Sequence, residues 1–220
     1  ELGRYDVNSL EELYTADEHR ALQVLRNLTE KVRNPLEMKA VGFCISVKHA
    51  EFMTAFFAKH GMPAGVVHGG TSRADREDRI RALERGDLCC IFTVDVFNEG
   101  VDIAAIDTVL FLRPTESATI FVQQLGRGLR LQDNKACLTV LDFVGNAHKE
   151  FRFDLRFRAL LGGGTRAELE RAVEQGFPRL PSGCSIKLEQ HSQGIVLNSL
   201  RTALRRWSAM AADLESGMTL

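Results

Sequence analysis

Short apolar runs alternate with amphipathic stretches through much of this chain. Ala40-Val41-Gly42-Phe43-Cys44-Ile45 has no charge and reads as a buried strand. His49 to Lys59 follows with helical spacing, Phe52, Ala55, Phe56 and Phe57 supplying an apolar face. Ala64 to Val67 reads as a short strand. Arg73 to Glu84 reads as a charged helix stopped by Gly86. Leu88 to Val94, Thr108 to Leu112 and Cys137 to Phe143 are further apolar strands. Ser117 to Arg130 is a predicted helix with Ile120, Phe121 and Leu125 inward. Strands alternating with helices predict an α/β domain with a mainly parallel sheet covered on both faces. Loops at the carboxyl ends of such strands are where ligands are expected.

The flanks differ from this middle. Residues 1–36 are polar and helix-leaning, with Leu22, Leu25, Leu28 and Val32 at helical spacing and Asn34-Pro35 closing the helix. After Phe143 the alternation stops. Phe151 to Leu161 is rich in Phe and Arg, and Gly162-Gly163-Gly164 is a break. Thr165 with Glu168 fits a capping box, Leu180-Pro181-Ser182-Gly183 is a turn, and Ile195 to Met210 reads as a helix. The expected organisation is an N-terminal helical segment over residues 1–36, an α/β domain over 37–147, and a smaller, mostly helical module over 148–220.

Composition adds little. The chain has 220 residues, 45% of them hydrophobic and 26% charged, and a formal net charge of -1. That balance neither announces nor excludes nucleic-acid binding, which needs only a local basic face. The five cysteines form no CxxC pair, and four of them lie in apolar runs, so a reduced, intracellular protein without a structural metal is expected. No apolar run is long enough to span a membrane. With Glu1 in place of an initiating Met, the sequence reads as a fragment or a processed chain.

Four segments carry chemistry. In Gln123-Gln124-Leu125-Gly126-Arg127-Gly128-Leu129-Arg130, helical geometry puts Gln123, Arg127 and Arg130 on one face, a cluster of planar donors suited to phosphate. Gly126 and Gly128 permit close approach, at about 1 kcal/mol each in helix stability. A solvated basic helix end is the plainer alternative. Thr93 to Ile103 follows a strand and brings together Thr93, Asp95, Glu99, Gly100 and Asp102, either a chemical site or a solvated acidic loop. His68-Gly69-Gly70-Thr71-Ser72-Arg73 offers exposed backbone amides for a phosphate, or simply a Thr71 or Ser72 cap on the next helix. Ser46 and Lys48 are placed to touch a nucleic-acid backbone, or belong to an ordinary strand-to-helix turn.

In order and spacing these segments resemble the second motor domain of superfamily 2 helicases. Ile45 to His49 looks like motif IV, His68-Gly69-Gly70 like the histidine-glycine step, and Thr93 to Ile103 like motif V. Gln123 to Arg130 matches the motif VI pattern Q-x-x-G-R-x-x-R. The resemblance covers roughly residues 38 to 145. It implies a RecA-like three-layer fold and a composite site for ATP and Mg²⁺, held mainly by a first motor domain in cis. It implies that Arg127 and Arg130 reach the γ-phosphate, Arg130 as arginine finger, with Gln123 bridging the cleft. Such a finger accounts for about 10³–10⁵ in rate. Gly100, Asp102 and Gly126 fall on the ATP side, and Ser46, Lys48, His68, Gly69 and Thr93 on the nucleic-acid track. The expected polymer is DNA rather than RNA, with repair among the settings.

From about Asp142 the chain resembles an uncharacterised region that follows the motor in bacterial helicases, so a bacterial, cytoplasmic protein is expected. Arg152, Arg156 and Arg158, interleaved with Phe151, Phe153 and Phe157, suggest either a nucleic-acid surface or, preferably, a helix docked on the motor domain. No Walker A lysine and no acidic Mg²⁺ box is present; Asp17-Glu18-His19 reads as a helix start. The chain alone is therefore expected not to hydrolyse ATP. Against this enzyme reading stand a non-catalytic nucleic-acid-binding module and a pseudo-motor scaffold, neither of which needs Gln123, Arg127 and Arg130 together.

Overall fold

Ala40-Val41-Gly42-Phe43 is apolar throughout and all four residues are buried, which only a strand covered on both faces allows. This is β1, the middle strand of a five-stranded sheet in a computed structural model of the chain. The structure describes residues 7–16, 18–94, 106–114, 137–143, 153–178, 180, 185–190 and 192–201. Beside β1 lie β2 (Ala64–Val67), β3 (Cys90–Thr93), β4 (Thr108–Phe111) and β5 (Thr139–Asp142), in the order β2-β3-β1-β4-β5. Every pairing is parallel, and the strands finish in one row at Val67, Thr93, Phe43, Phe111 and Asp142. Among the described residues the sheet is thus all-parallel, as the alternation of elements predicts.

The two faces have separate cores. Ala40, Cys44, Cys90, Phe92, Leu110 and Leu112 pack on one side against α2 (Glu18–Lys31) and α3 (Val47–Lys59). Val41, Phe43, Ile91, Val109 and Phe111 pack on the other against Leu83 of α4 (Arg73–Arg85). Gly42 is required by a close approach: a Cβ there would lie 2.5 Å from Cδ1 of Phe92, whose ring meets Phe57 edge-on at 4.8 Å. Ser72 caps α4 by accepting from the Asp75 amide, and Gly86 ends it in the left-handed region at φ 84°.

Two helical faces differ from the sequence reading. On α2 the buried stripe is Ala21, Val24 and Leu28, while Leu22 is 44% exposed. Ala21, Val24 and Leu28 share one helix face at i, i+3 and i+7, and Leu22 lies off it. On α3 the buried positions are His49, Ala50, Met53, Phe56 and Phe57, and Ala55 faces solvent. The Met53 and Phe57 side chains fill that stripe, leaving nothing for Ala55 to cover. α2 is part of the sheet's own core, and Glu18, at its start, pairs with Lys59 of α3 at 3.0 Å. Ahead of it lies α1 (Val7–Thr15). Cys44, Cys89 and Cys90 are buried, but Cys137 is exposed because it precedes the edge strand β5 rather than a central one; Cys184 is outside the described residues.

The described residues up to Phe143 fall in one compact unit and those from Phe153 onward in another. The second contains α5 (Phe153–Leu161), α6 (Arg166–Glu174) and a helical stretch over residues 192–201. Gly162, Gly163 and Gly164 all have positive φ. Thr165 and Glu168 then form the expected capping box, each side chain accepting from the other's amide. Phe157 stacks on Phe177 with ring centroids 5.4 Å apart, so it is buried within its own unit. Arg156 is only 4% exposed, which removes it from any nucleic-acid surface. Arg201 reaches Glu170 and Glu174 of α6. Arg152, most of the Leu180 to Gly183 turn and residues 202–210 lie outside the described residues.

Candidate functional site

Parallel strands ending in one row create a carboxyl edge from which all the connecting loops leave on the same side. Because β2, β3 and β1 are neighbours, the segments after them are brought side by side: His68 follows β2, Thr93 ends β3, and Ser46 lies three residues past β1. Chain order reverses between β1 and β4, the usual position of a ligand crevice in an open parallel sheet. Arg113 stands there, two residues past β4 and buried. Sequence reasoning passed it over, although a charge immediately after an apolar strand was the available signal.

The His68 turn is closed on itself. The His68 amide donates to Thr71 Oγ1 at 2.9 Å, the Gly70 amide to His68 Nδ1 at 3.1 Å, and the Thr71 amide to the His68 carbonyl at 2.9 Å. Those amides are therefore taken up inside the turn, and the cap on α4 is Ser72. Nothing lies within 4 Å of a Cβ built on Gly69, so this position faces open space.

Thr93 is 0% exposed, and its hydroxyl has no hydrogen-bond partner among the described residues. Its carbonyl accepts from the Cys44 amide at 2.8 Å, tying the end of β3 to the end of β1. A buried hydroxyl without a partner costs about 1–3 kcal/mol relative to one that is satisfied.

Ser46 caps α3. It sits in extended backbone, and its Oγ accepts from the His49 amide at 3.1 Å. Both Ser46 and Lys48 are engaged by Glu11 of α1, which the sequence reading did not single out. Lys48 Nζ lies 3.3 Å from Glu11 Oε1. The Ser46 hydrogen bond, followed by Lys48, holds the Glu11 carboxyl below the usual carboxylate range despite some desolvation. Beneath this contact, Tyr14 of α1 packs on the buried His49 ring at 5.2 Å, and the Arg20 guanidinium lies over the Tyr14 ring at 4.1 Å. Burial, aided by the Arg20 charge, pushes the His49 pKa down to about 3. Gly100, Asp102, Gln123, Gly126, Arg127 and Arg130 lie outside the described residues, as do Asp95 and Glu99. Among the described residues, no helix is long and apolar enough to cross a membrane.

Residues 20–132 match the family model described as the helicase conserved C-terminal domain. The chain belongs to this helicase family. Among its relatives, IRC3 of Saccharomyces cerevisiae, whose name describes an ATP-dependent helicase, is 27% identical over 56% of this chain and 18% of its own length. Irc3 of Schizosaccharomyces pombe, whose name describes a mitochondrial ATP-dependent helicase, is 33% identical over 58% of this chain and 21% of its own. The ATP-dependent RNA helicase DBP4 of Coccidioides immitis is 29% identical over 54% of this chain and 15% of its own. The chain thus spans about a fifth or less of the length of these curated relatives.

Among solved structures, the yeast DEAD-box splicing factor Prp28 shares the fold with a TM-score of 0.53 and 16% identity, over 78% of this chain and 37% of that one. The C-terminal part of the Fun30 ATPase domain shares it with a TM-score of 0.52 and 13% identity, over 82% of this chain and 53% of that one. The fold is that of a RecA-like helicase C-terminal domain. The expectation of a bacterial, cytoplasmic protein is corrected: these helicase relatives are fungal, and one carries a mitochondrial name.

Proposed function

We propose that this chain is the second motor domain of an ATP-dependent nucleic-acid helicase or translocase and works against a first motor domain in cis. Membership of the helicase C-terminal domain family is the observation that carries the reading. The parallel sheet supports it by setting the segments of Ser46, His68 and Thr93 along one carboxyl edge. In this reading Ser46, Lys48, His68 and Gly69 form the track for a strand gripped by its phosphates, and Thr93, fully buried at the end of β3, stands behind it rather than touching the strand. Such a grip carries little sequence preference and suits DNA and RNA alike. A preference for DNA, and a role in repair, are finer readings that the names of the relatives do not favour over RNA.

On the nucleotide side, ATP supplies the phosphoryl group, with Mg²⁺ held mainly by the first motor domain. Arg130 and Arg127 bring planar positive charge to it, Gln123 helps bridge the two domains, and Gly100, Asp102 and Gly126 line the approach. The chain has no Walker A lysine and no acidic Mg²⁺ box. Purified alone it is expected to show no nucleic-acid-stimulated ATP hydrolysis, whereas the full-length protein turns ATP over. Stimulated turnover by the pure chain would overturn the assignment of the chemistry to a composite site.

A further inference from the structure

The helix α1 stands ahead of the residues that match the helicase family, 20–132, and its Glu11 meets Lys48 at the start of α3, just past the carboxyl end of β1. Its residues Val7–Thr15 include Glu11 and Glu12 and no basic side chain. Glu11 is seated at the N-terminus of α3, paired with the Lys48 ammonium at 3.3 Å and held below the usual carboxylate range with help from the Ser46 hydroxyl. The Glu11 side chain is 22% exposed where that of Lys48 is 66%, so the carboxylate lies in the contact and the ammonium reaches over it from solvent. A carboxylate bound by a hydroxyl, an ammonium and the positive end of a helix satisfies the same donors that a backbone phosphate would use.

Besides this contact, α1 is anchored by Tyr14, which packs on the His49 ring under the Arg20 guanidinium. Tyr14 is its one buried hydrophobic residue among those whose burial is described, and Leu13 points its apolar side chain into solvent. An element of nine residues with a single buried anchor belongs to the low-stability end of a fold, able to open without global unfolding.

We propose that α1 is an acidic latch over the nucleic-acid track. Glu11 holds Ser46 and Lys48 in place of a backbone phosphate, and an incoming strand must displace it. The inference rests on the reading that Ser46 and Lys48 belong to that track. The latch makes strand binding compete with an internal contact, and it sets a threshold for engagement that removal of the Glu11 charge lowers.

The test is the affinity of the 220-residue chain for a fluorescently labelled single-stranded oligothymidylate, read by anisotropy at fixed salt. Glu11→Gln is expected to tighten binding by about three-fold, the scale of one partly exposed ion pair. Glu12→Gln removes a charge from the same helix without touching the contact, and is expected to tighten it less. Lys48→Ala is expected to weaken it. If Glu11→Gln and Glu12→Gln behave alike while Lys48→Ala weakens binding, the latch is wrong and the track stands. If Lys48→Ala binds as the wild type does, or no variant binds, the track reading falls and the latch with it. Hydrogen exchange gives a second readout: the α1 amides should lose protection when the oligonucleotide is added, and unchanged protection in the bound state contradicts displacement.

Discussion

His49 makes the folded domain sensitive to acid because burial and the nearby Arg20 charge oppose its protonation. The ring is buried between α3 and Tyr14, and Ile45 donates its amide toward Nδ1 at 3.5 Å. Protonation would place a charge out of water, turn that acceptor into a donor, and add repulsion from Arg20, with only Glu11 acting in its favour. The folded pKa is therefore about 3, against 6.5 for the free side chain. A His held below its unfolded pKa takes up its proton preferentially in the unfolded chain. Its contribution to stability is fully present above about pH 6.5 and is lost as pH falls from there toward about 3. Between about pH 7.5 and 5.5 the loss is about 1.4 kcal/mol. The figure barely depends on the exact folded value, because one pH unit below 6.5 the folded ring is still neutral. The assay is urea unfolding followed by circular dichroism at both pH values, for wild type and His49→Asn. Asn keeps an acceptor near the Nδ1 position but cannot titrate. The variant is less stable at either pH, having lost ring packing, so the informative quantity is the change with pH. The wild type should lose about 1.4 kcal/mol more than the variant on acidification. Equal losses would show that His49 is solvated or already charged in the native state, and would refute the reasoning.

Three further substitutions probe the sheet and its edge. Gly42→Ala places a methyl 2.5 Å from the buried Phe92 ring and should destabilise the domain by about 1–3 kcal/mol in the same unfolding assay; a neutral result would mean that the ring can move. Thr93→Val replaces an unpartnered buried hydroxyl with a methyl of similar size and should raise stability by about 1 kcal/mol, whereas a large loss would reveal a partner for the hydroxyl. Gly69→Ala meets nothing within 4 Å and should leave stability within about 0.5 kcal/mol, while lowering the affinity for single strands if a phosphate approaches that backbone.

The strands were legible because each is a short apolar run, buried on both faces in the central strands β1, β3 and β4; Ala64–Val67 was read to the residue. The capping box at Thr165 and the stop at Gly86 were legible because both are local chemistry. What local pattern could not supply was the choice between neighbouring candidates for a buried face. Leu22 is the more hydrophobic residue, but Ala21 lies inward because it shares the helix face of Val24 and Leu28 at i, i+3 and i+7. Nor could it supply partners far apart in sequence. Glu11 and Lys48 are joined only by the fold, and His49 looked like an ordinary residue at a helix start until Tyr14 closed over it. Gln123, Arg127 and Arg130 carry their meaning in spacing alone, and their positions lie outside the described residues.

Arg130 is where the proposed function is most exposed to test. In the full-length protein, Arg130→Lys keeps the charge but removes the planar fork, and Arg130→Ala removes both. Steady-state ATPase with saturating nucleic acid should show kcat falling by about 10³ or more for Arg130→Ala. Arg130→Lys should recover little of it, and ATP binding should change far less than turnover. ATPase activity indistinguishable from wild type in Arg130→Ala would contradict the claim that this chain supplies the arginine finger of a composite motor.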